Sequence, residues 1–465
     1  MTHRSFDPVR QDAPYFCSHS VSTSPPTIPL KPLSLRTNFL WTFAGNSIAA
    51  VCQAVVLLVL LNTTTLEATG EYSTALGWCA PLFMFAGLDI RILLATDSRS
   101  EFRFSEYLAV RLLLTGVALA CVPIIALATG RGGDGVLIFL GVGINRLLEL
   151  VSDAFYGLMQ RAERMDRVSH SMVIHGLVSS GILAAVVWLS GQVVTGLLLA
   201  AGANLAILLL YDVPLATRLA EQVEGSGQDS LRNVLTAQPR RLWQLASQGM
   251  ALAVRKLFVS LNANVTKLFV DGMCGTALAG VFAPFAAGVN ASTTVSRALN
   301  QAVASRLGKL AANNDMAGLR RLINKLQLLY LGMGAVGIAA AWLLGHAVMS
   351  LLLPPEVAEF SPLLVIVIAA VAVQYQGGIL DMALVALRQV NVLVPVSGAT
   401  LLTTVVGCWL LIPEFSLAGV TIAMLASRVV RVAVLTWFIR QEVAARGVQP
   451  EFSFDSDSSE LSVAA

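Results

Sequence analysis

Residues 143–167 read GINRLLELVSDAFYGLMQRAERMDR. The stretch is apolar enough to cross a bilayer, then turns basic at Arg161, Arg164 and Arg167. Positive charge is retained on the cytoplasmic side during membrane insertion, so this pattern reads as a spanning helix leaving the membrane on that side. The composition agrees. Charged residues make up 13% of the 465 residues and mean hydropathy is +0.72, whereas soluble domains average about 25% charged. Each span needs roughly 20 apolar residues, so the chain is long enough for about a dozen.

Working outward, apolar runs bounded by polar, Gly or Pro punctuation fall near 37–61, 72–90, 107–129, 136–158, 168–189, 193–211, 242–264, 277–302, 326–352, 361–386, 391–412 and 416–439. With the first residues placed in the cytoplasm, the segments on that side hold 22 of the 31 Lys and Arg, and the opposite loops hold 2. A missed or extra helix would scramble this alternation. The expected fold is therefore an all-α polytopic membrane protein of twelve transmembrane helices, arranged as two six-helix bundles around a central cavity. The expected organisation is a cytoplasmic tail over 1–35, a bundle over 36–211, a cytoplasmic linker over 212–241, a second bundle over 242–440 and an acidic cytoplasmic tail over 441–465. GEYSTALGWCAPLF (70–83) and GTALAGVFAPF (275–285) echo each other across the two halves. Such duplication is common among transporters, whose sites lie between repeats near the midplane.

Seven Lys and Arg lie inside the proposed spans: Arg111, Arg146, Arg255, Lys256, Arg297, Arg428 and Arg431. They face Glu149, Asp153 and Asp381, so pairing within the membrane leaves cations over. A charge at the bilayer centre costs about 2.5–3.5 kcal/mol on insertion scales, which turns these side chains toward protein or water. Arg111, Arg297 and Arg431 lie near the cytoplasmic edge, where they either snorkel or line the interior. Arg146, Arg255 and Arg428 are deeper. Helical spacing puts Arg146, Glu149, Asp153, Tyr156 and Gln160 on one stripe. The sharper reading is a water-filled, net positive cavity suited to phosphate or carboxylate oxygens. Arg146, Arg255, Lys256, Arg297 and Arg428 are its candidate anion-binding groups. Asn46, Gln53 and Asn290 either meet substrate hydroxyls or join helices. Asp153 and Glu149 are candidates to orient Arg146 or carry coupling protons, and Arg91 and Asp97 in the loop RILLATDSRSEFRFSEY are candidates for a cytoplasmic ion-pair gate. Residues 303–323 suit an amphipathic helix on the anionic inner leaflet.

Other patterns point nowhere chemical. GMGAVG at 332–337 matches a nucleotide motif but lies within an apolar run with no preceding strand. The six cysteines are scattered, which argues against a disulfide framework or zinc site. His170, His175 and His346 are isolated and read as structural. No metal-hydrolase, Walker A or nucleophile-elbow motif occurs, so no catalytic residue, cofactor or metal is expected.

The segments LWTFAGNSIAAVCQAVVLLVLL, APLFMFAGLDIRILLATDSRSEFRFSEYLAVRLLL, VSDAFYGLMQRAERMDRVSHSMVIHG and SLNANVTKLFVDGMCGTALAGVFAPF resemble the bacterial Wzx-like polysaccharide flippases of the multidrug/oligosaccharidyl-lipid/polysaccharide exporter superfamily. The resemblance covers about residues 36–440. It implies a bacterial inner-membrane protein with both termini cytoplasmic. It also implies a polyprenyl-pyrophosphate-linked oligosaccharide as substrate, moved to the periplasmic leaflet by alternating access. Membrane lipids, a glycan polymerase and other polysaccharide assembly proteins are the partners it suggests, and nucleic acid is not among them. Two other classes compete. A cation-coupled multidrug exporter of the same superfamily would place drug or ion on Asp153, and a glycan polymerase or ligase would need a large periplasmic loop that the short outer loops do not supply.

Overall fold

The structure is a computed structural model that describes residues 35–97, 101–162, 164–224, 234, 238–313 and 315–447. Most of the expected linker and nearly all of both expected tails lie outside the described residues. Within them the chain is helical throughout. The first half comprises α1 (Leu35–Thr63), α2 (Leu66–Ala86), α3 (Ile90–Thr96), α4 (Phe104–Ala128), α5 (Gly133–Arg161), α6 (Met165–Ser190), α7 (Val193–Ile207) and α8 (Val213–Glu224). One turn of π-helix, Leu208–Asp212, joins the last two. The second half comprises α9 (Pro239–Cys274), α10 (Thr276–Ala312), α11 (Met316–Leu352), the short α12 (Pro355–Ala358), α13 (Ser361–Ala386) and α14 (Leu393–Gly447).

Local chemistry sets the breaks. Thr65 caps α2 by accepting from the Ala68 N–H at 3.2 Å, and Asp315 caps α11 by accepting from Gly318 N–H at 2.7 Å. Gly275 separates α9 from α10 at φ 89°, ψ 166°, a conformation essentially confined to glycine. Ser416 (φ 48°, ψ −126°) breaks α14 into two arms, 393–415 and 417–447.

Among the described residues, nine helices are long and apolar enough to span a bilayer, with α14 taken as a single one. α9, at 36 residues, is long enough but too polar to count by composition, and α10, at 37 residues, is not among the nine. The two expected spans that α9 and α10 contain, and the break inside α14, account for the difference from twelve. The separate amphipathic helix expected over 303–323 does not form. Its first residues continue α10 to Ala312 and its last residues open α11 at Met316, because Asp315 caps the following turn.

Apolar side chains face outward along these helices, among them Leu189, Trp188, Trp342, Leu351 and Trp409. In water such a surface would aggregate; in a bilayer it is the solvated surface, with tryptophans suited to the interfaces. Packing repeats between the halves. α1 lies on α6, and α5 receives α2, α4 and α7; correspondingly α9 lies on α14, and α13 receives α10, α11 and α14. Pro81 and Pro284, the prolines of the two echoing segments, occupy the interiors of the equivalent helices α2 and α10. Between the halves α2 packs along both α9 and α10. α2 and α10 cross at Gly70 and Gly280, where a Cβ on either would collide with the carbonyl oxygen of Thr276 or Leu66. Only glycine permits that approach.

Candidate functional site

The positively charged loops cluster at one end of the helices, the basic end; the other is the far end. At the basic end α2 turns into α3 through Leu88 (φ 48°) and Asp89 (φ 53°), two consecutive non-glycine residues in the left-handed region. Each costs about 1–3 kcal/mol of strain and persists only where its surroundings hold it. Here Arg111 Nη1 donates to the Gly87 carbonyl at 2.9 Å, and Lys256 Nζ of α9 donates to Asp89 Oδ1 at 2.7 Å. Gly249 of α9 packs on the Leu88 backbone.

Arg111 does not snorkel. It is 1% exposed, and its Nη2 donates to Asp153 Oδ2 at 2.9 Å. Arg91 approaches the other oxygen of Asp153 at 3.3 Å and donates from Nε to Gln160 at 3.0 Å. Asp153 therefore sits between two guanidiniums and makes no contact with Arg146. Asp97 accepts from Tyr107 Oη at 3.1 Å and from the N–H groups of Glu101 and Phe102, so it closes its own loop. Arg91 and Asp97 do not pair with each other. Charges that do bridge the halves at this end are Lys256 with Asp89 and Arg241 with Glu106, the latter at 2.6 Å. At the far end Arg131 bridges to Asp271 of α9 and to Thr276 of α10.

Deeper between the ends, Arg146 Nη1 binds Glu149 Oε2 at 2.6 Å, and both side chains stay accessible, at 28% and 47%. Tyr72 and Cys79 of α2 and Lys267 of α9 lie within electrostatic reach of Arg146. Lys267, placed by the loop count in an outer loop, is instead inside α9 and 8% exposed. Its Nζ donates to Asn264 Oδ1 at 3.3 Å, and its stem packs beside Gly77 of α2. Two cations from the two halves thus approach α2. Among the described residues Glu149 is the single carboxylate paired with either.

A second group lies in the second half. Arg431 Nη2 binds both oxygens of Asp381 at 3.0 Å and its Nη1 reaches Ser397 Oγ at 3.3 Å. Arg255 is exposed and acts electrostatically on the same carboxylate. Arg428 is close to Arg431, and its buried Nη1 has no hydrogen-bond partner among the described residues. α9 carries both groups: Arg255 and Lys267 are twelve residues apart, about 18 Å along the helix. Consecutive Arg255 and Lys256 point to opposite halves, one toward Asp381 and one to Asp89.

The polar candidates divide. Asn46 donates to the Thr42 carbonyl of its own helix at 2.7 Å, Gln53 is exposed, and Asn290 is half-buried. The side chain of Arg297 lies outside the described residues. A cleft at the basic end is lined by Asp97, Glu101, Tyr107 and Gln248, between the α3–α4 loop and α9. Sequence reasoning missed Lys267, Asp89, Arg131 and Asp271. The signal for two of them was present: Ser260, Asn264, Lys267 and Asp271 are spaced 4, 3 and 4, the same one-face pattern as Arg146, Glu149 and Asp153.

The sequence of residues 35–305, more than half of the chain, matches the model of the family described as "Polysaccharide biosynthesis protein". The chain belongs to that family. It is 24% identical over 405 residues to the Staphylococcus aureus capsular polysaccharide biosynthesis protein CapF, covering 87% of this chain and 99% of that one. Its fold matches the Vibrio cholerae MATE transporter VcmN at a TM-score of 0.57, with 12% identity over 88% of this chain and 96% of that one. It also matches a MOP superfamily transporter from Pyrococcus furiosus, described as having a binding pocket of reverse polarity, at a TM-score of 0.54 with 15% identity, covering 88% and 95%. This polysaccharide biosynthesis family member is a multi-pass membrane protein with the fold of MATE-type transporters.

Proposed function

We propose that the protein is a flippase that moves a polyprenyl-pyrophosphate-linked oligosaccharide from the cytoplasmic to the periplasmic leaflet of a bacterial inner membrane, by alternating access and with both termini cytoplasmic. The observation that carries this reading is the pair of cations Arg146 and Lys267, brought toward α2 from opposite halves with Glu149 as their carboxylate. Two cations against one carboxylate leave a net positive charge at membrane depth. Such a charge is costly unless an anion or water compensates it. A pyrophosphate supplies that anion, and guanidinium and ammonium groups bind its oxygens with charge-assisted bonds. Arg428, with its unpartnered Nη1, and Arg255 extend the positive surface into the second half.

On this reading the two repeated bundles, 36–211 and 242–440, rock about α2, which contacts both α9 and α10. The inter-half bridges at the two ends, Arg131 with Asp271 at the far end and Lys256 with Asp89 at the basic end, break in alternation. Membership of a polysaccharide biosynthesis family supports a glycan cargo. The Pyrococcus fold relative, described by the reverse polarity of its binding pocket, is consistent with pockets of more than one polarity on a MATE-type scaffold. The multidrug alternative needs Asp153 free to bind drug or ion, and Asp153 is held by Arg91 and Arg111.

Arg146→Ala and Lys267→Ala should each lower export of the glycan at least tenfold at unchanged protein abundance in the membrane, with lipid-linked repeat units accumulating on the cytoplasmic leaflet. Normal export in both variants would remove the site from the mechanism. Raised drug susceptibility with intact glycan export would favour the multidrug reading.

A further inference from the structure

The first half contains a polar network that the cationic site does not use. Asn145, Ser152 and Tyr156 come from α5, Ser171, His175 and Ser179 from α6, Asn204 from α7, and Asp212 from the π-helical turn. Asp212 is fully buried and His175 is 11% exposed. A π turn widens the helix locally and recurs at functional sites; here it ends on the buried carboxylate.

Donor and acceptor assignments follow from one end of this network to the other. Asn145 Nδ2 donates to the carbonyls of Gly141 at 2.8 Å and Leu197 at 3.0 Å, which leaves Asn145 Oδ1 as an acceptor. Asn204 Nδ2 donates to that oxygen at 2.9 Å and to Ser179 Oγ at 3.0 Å. Asn204 Oδ1 therefore faces His175 Nδ1, at 2.8 Å, and Nδ1 must carry a hydrogen. On the other side of the ring, Nε2 lies 3.0 Å from Asp212 Oδ2. A neutral imidazole protonated on Nδ1 offers Nε2 a lone pair, and a carboxylate offers another. Two lone pairs at that distance repel, so a proton lies between them. Ser171 Oγ donates to Asp212 Oδ1 at 2.6 Å, and Tyr156 Oη, 2.8 Å from Ser171 Oγ, donates in turn.

We propose that the His175–Asp212 pair is a proton-binding site sealed inside the first half, holding one proton between Nε2 and Oδ2 in this conformation. Uptake of that proton takes the pair from a charge of −1 to 0, and no bond to another atom changes. Losing it leaves a buried negative charge, which low-dielectric surroundings penalise strongly. The groups that face the pair bear on its charge. From α5 these are Glu149, which acts on His175 electrostatically, and Tyr156, itself under the field of Asp153 and beneath the Arg91 guanidinium at 5.7 Å. From α1 there is Cys52, packed beside Gly176. Ser152 Oγ, 3.4 Å from Nε2, lies one turn from Glu149, so the route from the sealed pair toward the accessible Arg146–Glu149 group is short. The inference rests on the transport reading only in naming the proton as the available coupling ion.

The test reads protons and needs no glycan. In the full-length chain in lipid nanodiscs, replacing His3, His19, His170 and His346 by glutamine leaves His175 as the single imidazole for 15N NMR. At neutral pH the spectrum should show hydrogen on Nδ1 and a shared proton at Nε2, with the Nε2 proton lost on raising the pH. Asp212→Asn, which keeps the shape of the group, should give a neutral Nδ1–H ring with no such transition. A bare Nδ1 with Nε2–H at every pH would overturn the proposal. So would a transition that survives Asp212→Asn. Because export is not measured, failure here leaves the flippase reading standing, and failure of that reading leaves the proton count unchanged.

Discussion

The two halves pack their helices in the same order but treat their buried charges differently. In the first half each cation at membrane depth has a carboxylate: Arg91 and Arg111 share Asp153, and Arg146 holds Glu149. In the second half Asp381 serves Arg431 in a two-point bond, while Lys267 leans on an amide and Arg428, among the described residues, is paired with no carboxylate. Breaking a buried pair is far more costly than never having formed one. The first half is therefore held together by its charges, and the second half keeps charge in reserve. On the flippase proposal, that reserve of positive charge is what the anionic end of the cargo would meet.

The strongest way to break the comparison is Asp153→Ala. It would leave Arg111, 1% exposed, without its carboxylate at a cost of about 3–5 kcal/mol. The Tm should fall steeply and little protein should reach the membrane; a stable Asp153→Ala protein would show that the first half is not charge-locked. Arg428→Leu should do the reverse. Removing a cation with an unsatisfied buried nitrogen should leave the Tm unchanged or raised, while glycan export falls at least tenfold. A fall in Tm comparable to that of Asp153→Ala would mean that Arg428 is structural. Next in size comes Gly70→Val, which puts a branched side chain against the Thr276 carbonyl where the halves cross. It should keep the far end from closing, and crosslinking of cysteines introduced at the ends of α2 and α10 should drop severalfold.

The all-helical membrane fold was legible from hydropathy and loop charge because those signals are one-dimensional. A run of apolar residues and a count of arginines need no partner. For the candidate site, sequence singled out the deep cations but not their partners. Arg146, Arg255 and Arg428 stood out as deep cations; the structure pairs Arg146 with Glu149, leaves Arg255 exposed, and leaves Arg428 Nη1 without a hydrogen-bond partner among the described residues. Lys267 is hidden because the apolar run of its helix ends at residue 264, three residues before it, although α9 continues to Cys274. The role of Asp153 depended on Arg91 and Arg111, which lie 62 and 42 residues away in sequence. Spacing along one helix cannot reveal such partners. His175 was isolated in sequence for the same reason: Asp212, its partner, is reached through the π-helical turn.

The smallest effects should come from the bridges between the halves, and they sharpen the comparison by their difference. Lys256 is 41% exposed where it meets Asp89, itself 7% exposed, so salt reaches the ammonium, but removing it leaves a buried carboxylate unpaired. Arg131 and Asp271 are 6% and 9% exposed, and are shielded from both water and salt. Lys256→Ala should therefore lower the Tm modestly, by an amount that high salt reduces. Arg131→Gln should lower the Tm by a larger amount that salt does not change. The physical reason is the charge left behind: an uncompensated carboxylate costs more where neither water nor salt can reach the vacated position. Equal, salt-sensitive effects from the two variants would mean that the far end is as wet as the basic end, and that Arg131 does not seal it.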